Sequence, residues 1–198
     1  MTADTPVPNG YREIEAKILE VDRRRLEVRL AGMGAKRVFE ADVEALFYDF
    51  TDGSIGMARD LVRLRREGER SVLTYKRFVG DSVAKTRAEF EVVVSDFDTT
   101  RAILEALKLR CWLRMTKSRI SYTFDRSTLS FDRYTGEHSF IPEFLEIEAR
   151  SAAAIHRIAG LLGFKPEDCR PWGFGELISY YSDRKPHGAG TDQPGSGR

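Results

Sequence analysis

The strongest constraint on this chain is an alternation of charged and apolar side chains, at a period of two, in seven separate strand-like stretches. Successive strand residues point to opposite faces, so each stretch divides into a charged row and an apolar row. Glu13, Glu15 and Lys17 alternate with Ile14, Ala16 and Ile18, and Arg63 and Arg65 with Val62 and Leu64. Lys76 lies on the parity opposite to Leu73 and Tyr75. Arg87, Glu89 and Glu91 alternate with Ala88, Phe90 and Val92, and Lys117 and Arg119 face away from Ile120 and Tyr122. Asp132 sits beside Phe131, and Glu146 and Glu148 alternate with Leu145, Ile147 and Ala149.

Two architectures satisfy such a pattern. One is an open sheet whose apolar face lies under helices and whose charged face is in water. The other is a closed sheet with the charged rows inside, and the kind of charge favours it. Of Arg63, Arg65, Lys76 and Arg87, three are arginines, and a planar guanidinium fork matches phosphate oxygens better than a lysine does. The expected fold is therefore α+β: an eight-stranded antiparallel closed β-barrel with helices packed outside.

Turn and cap signals set the elements. Strands are expected at 13–18, 43–50, 60–66, 71–78, 85–94, 115–124, 128–134 and 143–150. Helices are expected from Asp22 to about Met33, from the Ser95-Asp96 cap to Leu107, at 152–162 and at 174–181. Residues 1–10 and 184–198 are too poor in apolar side chains to pack and read as tails, leaving 11–183 as a single domain with no linker or repeat.

Charge and composition exclude several classes of function. The 32 Lys+Arg and 31 Asp+Glu nearly cancel and are interleaved, unlike the one-signed patch of a nucleic-acid binder. No window reaches the roughly 18 apolar residues of a membrane span. His138, His156 and His187 lack metal-ligand spacing, and Cys111 and Cys169 cannot build a disulfide framework, which suggests the reducing cytoplasm.

A charged lumen is tolerable only if its charges pair, stay wet or bind ions and a charged ligand. Paired acids such as Glu13/Glu15 and Glu146/Glu148 offer hard oxygen donors for Mg²⁺ or Mn²⁺, and the cations suit a polyanion that itself chelates metal. A triphosphate meets both requirements.

Glu13-Ile-Glu-Ala-Lys17 resembles the E-x-E-x-K signature of the CYTH family, the triphosphate tunnel metalloenzymes that include class IV adenylate cyclases and thiamine triphosphatases. The likeness extends through Arg63/Arg65, Thr74-Tyr75-Lys76, Arg87-x-Glu89-x-Glu91, Lys117-x-Arg119, Asp132 and Glu146-x-Glu148, in order, over most of 11–181. The resemblance implies an eight-stranded tunnel in which Glu13, Glu15, Asp132, Glu146 and Glu148 hold one or two ions. By the same carry-over, Lys17, Arg63, Arg65, Lys76, Arg87, Lys117 and Arg119 bind the phosphate chain, and Glu89 and Glu91 order the arginines or hold a second metal. Lys17 and Glu15 are the candidate catalytic pair.

Water attacking the terminal phosphorus would make the chain a triphosphatase. A ribose 3′-hydroxyl attacking the α-phosphorus of ATP would make it a cyclase. The layout is closer to the cyclase-like branch, but Pro8-Asn9-Gly10-Tyr11-Arg12 stands where established cyclases carry a His-Phe segment. Hydrolysis of a small-molecule triphosphate is therefore preferred, with cyclisation second and a noncatalytic polyphosphate-binding module third. A homodimer is an expectation from the frequency of such assemblies alone. His138 reads as a solvated loop residue, Cys111 beside Trp112 as core, and Tyr75 and Tyr122 as outer-row core. Trp172, Phe174, Tyr180 and Tyr181 read as packing, with base stacking by one of them as the alternative.

Overall fold

Eight antiparallel strands organise the computed structural model, which describes residues 14–81 and 85–184, and side chains except those of 79–81 and 85–87. The strands are β1 (Ile14–Ile18), β2 (Lys36–Asp49), β3 (Leu61–Glu67), β4 (Arg70–Asp81), β5 (Lys85–Val94), β6 (Arg110–Phe124), β7 (Ser127–Tyr134) and β8 (Phe144–Ala149). Five helices accompany them: α1 (Arg23–Gly32), α2 (Ser54–Met57), α3 (Phe97–Ala106), α4 (Ala152–Leu161) and α5 (Phe174–Ser182). The strand order is β1-β8-β7-β6-β2-β3-β4-β5, every neighbouring pair antiparallel. Glu13 and the tail residues 1–10 and 185–198 lie outside the described residues.

Local chemistry explains the boundaries. Asp22 caps α1 by accepting from Arg25 N at 3.2 Å, and Asp96 caps α3 by accepting from Thr99 N at 2.6 Å. The β6–β7 hairpin turns on Asp125 and Arg126, both with positive φ, the tight geometry whose twist suits a two-residue connection. Gly68, at φ +58°, supplies the left-handed residue between β3 and β4.

Three elements depart from the sequence expectation. β2 begins at Lys36, not Val43, because a register shift between Arg37 and Phe39 breaks the alternation over a polar, largely exposed segment. α2 was not expected; Asp49 holds it by accepting from Ile55 N and Gly56 N, both at 2.9 Å, a contact invisible to local periodicity. β6 starts at Arg110, which carries Cys111 and Trp112 to an exposed strand end, Trp112 being 64% exposed. The core reading of Cys111 is thereby corrected.

The apolar rows face outward under the helices. Ile18, Leu129, Phe131, Leu145 and Ile147 pack against Leu26 and Leu30 of α1 and Ile155 and Ile158 of α4. Leu46, Tyr48 and Leu64 pack against Phe97 and Leu104 of α3. Tyr75 and Tyr122 lie on this outer side but are only partly buried, their hydroxyls donating to Asp60 and Glu27. A third cluster plugs one end of the concave face, where Ala45, Phe47, Met115, Tyr134 and Phe144 meet Leu177 and Tyr181 of α5.

The sheet curls into a half-barrel, so closure is approximate. Among the described residues no ladder joins β1 to β5, the two ends of the strand order. Instead Lys17 and Arg170 exchange two backbone hydrogen bonds of 2.8 Å, so the chain leading into α5 covers the free edge of β1.

Candidate active site

Curling places the charged rows around a cavity of about 750 Å³. Glu15 and Lys17 of β1, Arg63 and Arg65 of β3, Lys76 of β4, Glu89 and Glu91 of β5, Lys117 and Arg119 of β6, and Glu146 and Glu148 of β8 all line it. Strand parity explains the convergence: these residues share one face of one sheet. Arg87 has its backbone on β5 opposite Phe78, but its side chain lies outside the described residues, as does all of Glu13.

The wall formed by β1, β8, β7 and β6 is a network of ion pairs, largely buried except at Glu15, whose side chain is 54% exposed. Lys17 Nζ lies 3.0 Å from Glu15 Oε1 and 2.8 Å from Glu146 Oε2. Arg119 reaches Glu146 Oε1 at 2.8 Å and grips Asp132 with Nε on Oδ1 and Nη2 on Oδ2, both at 2.6 Å. Lys117 Nζ adds a bond of 2.5 Å to Asp132 Oδ2.

Asp132 therefore sits beneath the cavity wall, fully buried and with both oxygens engaged. Burial disfavours the charges of Lys17, Lys117, Arg119 and Glu146, but pairing outweighs it for three of them: Lys17 and Arg119 are raised and the Glu146 carboxyl is held below its ordinary range. Burial, reinforced by the neighbouring Arg119, wins at Lys117, which is lowered despite Asp132.

The β3–β5 wall is wetter and only partly paired. Arg65 Nε stands 3.1 Å from Glu67 Oε1, and Lys76 Nζ 2.9 Å from Glu89 Oε2. Arg70 approaches Glu91 at 3.6 Å, and Thr74 donates to Glu91 at 3.4 Å. Arg63 and Arg65 share a feature: the Nε of each is buried without a hydrogen-bond partner, although Arg65 Nε lies near Glu67. Burial, then repulsion from Arg65, lowers the pKa of Arg63 to about 10. A buried guanidinium Nε without an acceptor is disfavoured until an anion oxygen meets it.

The acids fit a divalent cation by chemistry and register. Glu15 and Glu148 face each other directly across the β1–β8 pair, with Glu146 next on the same face. Carboxylate oxygens of this kind suit Mg²⁺ or Mn²⁺. Among the described residues no three acids are drawn together as a formed ligand shell, and Lys17 and Arg119 occupy oxygens of Glu15 and Glu146.

Glu67, Tyr134 and Phe174 also line the cavity, and the residue pattern had not assigned them to it. Glu67 follows Arg65 by two residues and so shares its face, but it lies one residue beyond the expected 60–66 strand. His138, expected in solvent, is half-buried in a short 3₁₀ turn, with its ring 4.9 Å from that of Phe174 and 6.3 Å from that of Tyr134. Tyr134 is 5% exposed, and burial pushes its phenol well above the ordinary value.

The CYTH domain model matches residues 11–157. A protein of Methanocaldococcus jannaschii named "Putative adenylate cyclase" is 26% identical over 136 residues, covering 69% of this chain and 75% of that protein. A Vibrio parahaemolyticus structure with the same designation superposes with a TM-score of 0.71 at 16% identity, over 86% of this chain and 99% of that one. A Hippeastrum protein, described as a "Putative adenylyl cyclase" with a dominant triphosphatase activity, gives a TM-score of 0.55 at 14% identity, over 86% of this chain and 95% of that one. The family match over three quarters of the chain, together with the curled eight-stranded sheet, establishes that this protein belongs to the CYTH domain family.

Proposed function

We propose that this protein is a divalent-metal-dependent triphosphatase that binds the phosphate chain of its substrate in the charged cavity and cleaves its terminal phosphoryl group. The observation that carries this reading is the pair Arg63 and Arg65, each with a buried Nε that has no hydrogen-bond partner, in a cavity where the other described cations are bonded to protein acids. Such an arrangement leaves an attraction for added anion oxygens while the network of ion pairs keeps the remaining charges in position.

In this reading Lys17, Arg63, Arg65, Lys76, Arg87, Lys117 and Arg119 hold the phosphate chain. Glu13, Glu15, Asp132, Glu146 and Glu148 would hold one or two Mg²⁺ or Mn²⁺ ions, Asp132 in exchange for its bonds to Lys117 and Arg119. When bound, such an ion polarises phosphoryl oxygens and eases deprotonation of the nucleophile. Glu89 and Glu91 keep Lys76 and the neighbouring arginines oriented or contribute to a second ion. Glu15 positions the attacking water, and Lys17, charged and fixed between Glu15 and Glu146, stabilises negative charge on the phosphoryl oxygens. Water adds to the terminal phosphorus and gives up a proton to solvent, the bridging P–O bond breaks with its electron pair going to the leaving oxygen, and inorganic phosphate and the shortened phosphate chain depart.

The hydrolytic reading is supported by the dominant triphosphatase activity described for the Hippeastrum neighbour. The cyclase designation of the Methanocaldococcus and Vibrio proteins supports a second reading, conversion of ATP to 3′,5′-cyclic AMP and pyrophosphate. Purified protein incubated with tripolyphosphate, ATP or thiamine triphosphate, with Mg²⁺, Mn²⁺ or chelator, tests both once every product is resolved chromatographically. Metal-dependent phosphate release supports the triphosphatase. Cyclic AMP with pyrophosphate replaces it with the cyclase, and tight binding in chelator without turnover replaces both with a binding module.

A further inference from the structure

We propose that Phe174 is the wall against which the organic ring of the substrate stacks, so that the preferred triphosphate carries a heterocycle and is not bare tripolyphosphate. This inference rests on the triphosphate-binding reading above and specifies its substrate class.

Of the four C-terminal aromatic residues, Phe174 alone lines the cavity. Trp172 and Tyr180 pack on each other with ring centroids 5.0 Å apart, and Tyr181 is buried, its hydroxyl donating to Glu20 at 3.0 Å. Phe174 is half-buried, so part of an apolar ring is presented to a space otherwise dominated by carboxylates, ammonium groups and guanidinium groups. An apolar surface in a charged cavity contributes little to holding phosphates, but it gains by desolvation when a flat ring covers it.

The ring is also held in place. His138 approaches it edge-on at 4.9 Å, and Tyr134 lies 5.3 Å away on the cavity side of the plug cluster. The backbone before it is fixed by the paired hydrogen bonds between Lys17 and Arg170 and by Glu176, which accepts from Gly173 N at 3.1 Å. A ring so restrained loses little freedom when a ligand stacks on it. The same tether connects Phe174 to β1, the strand that presents Glu15 and Lys17 to the phosphates. The cavity, at about 750 Å³, falls in the range of sites that enclose an organic ligand.

The test compares specificity constants for ATP, thiamine triphosphate and tripolyphosphate in wild-type protein and in Phe174→Ala, Phe174→Leu and Phe174→Trp. Phe174→Ala is expected to lower the ratio of either organic substrate to tripolyphosphate on the order of 10-fold to 100-fold, mainly through KM. Phe174→Trp should keep the ratio, and Phe174→Leu, which preserves the packing of α5, should lower it if the alanine variant does not fold. ATP and thiamine triphosphate responding alike would identify ring stacking in general, and one responding alone would identify that substrate. An unchanged ratio in both Phe174→Leu and Phe174→Ala overturns the inference while leaving the triphosphatase reading intact. Wild-type protein that neither binds nor cleaves any of the three compounds overturns both.

Discussion

Arg119 holds Asp132 by both carboxylate oxygens, with two bonds of 2.6 Å to a side chain that has no exposure to solvent. This geometry makes Asp132 the keystone for Lys117 as well, which donates to it at 2.5 Å. Removing the charge in Asp132→Asn would leave two buried cations short of compensation. The expected cost is about 3 to 5 kcal/mol in stability, measured by urea unfolding, and a loss of less than about 1 kcal/mol would contradict it.

Arg63 should behave in the opposite way. Its Nε has no hydrogen-bond partner, so Arg63→Ala removes an unfavourable burial and should leave stability equal or higher. Triphosphate affinity should nevertheless fall by a factor on the order of 10 to 1000, through charge-assisted bonds of about 1.5 to 3 kcal/mol each. Calorimetric titration with tripolyphosphate reads this directly, and unchanged affinity would remove Arg63 from the phosphate site.

Glu148 faces Glu15 across β1 and β8. Glu148→Gln retains shape and removes a hard anionic donor, so metal-dependent phosphate release should fall to near background with the thermal melt little altered. Full turnover at the same Mn²⁺ concentration would sink the metal role.

A pH dependence follows from Glu146. Its carboxyl is held below the ordinary 4.5, burial opposing ionisation while Lys17, Arg119 and Lys117 more than offset it. The unfolded chain then takes up this proton first as pH falls, so the stabilisation is complete above about 4.5 and is lost progressively below it. Urea melts between pH 7 and pH 3 should show this slope, and Glu146→Gln should flatten it. A slope of equal size in the variant would assign acid sensitivity to other carboxylates.

Much of the fold was legible because strands with two chemically different faces announce their parity. The Asp22 and Asp96 caps, the hairpin between β3 and β4, and the β5 strand appear where local chemistry expects them. Legibility failed wherever a distant partner set the structure. The first half of β2 follows its pairing with β6 through a register shift, α2 hangs from Asp49, and the exposed start of β6 follows β2, not its own apolar content.

The same division holds for the candidate site. Alternation alone determined that Glu15, Lys17, Arg63, Arg65, Lys76, Lys117, Arg119, Glu146 and Glu148 could share one face, because a period of two is a local property of an extended backbone. Which charges neutralise one another was decided only by the curl and stagger of the sheet, which set Arg119 over Asp132 and Lys17 between Glu15 and Glu146 while leaving Arg63 Nε unpaired. The placement of Phe174 likewise required the chain to return across the edge of β1 at Arg170, a contact between residues more than 150 positions apart that no local pattern encodes.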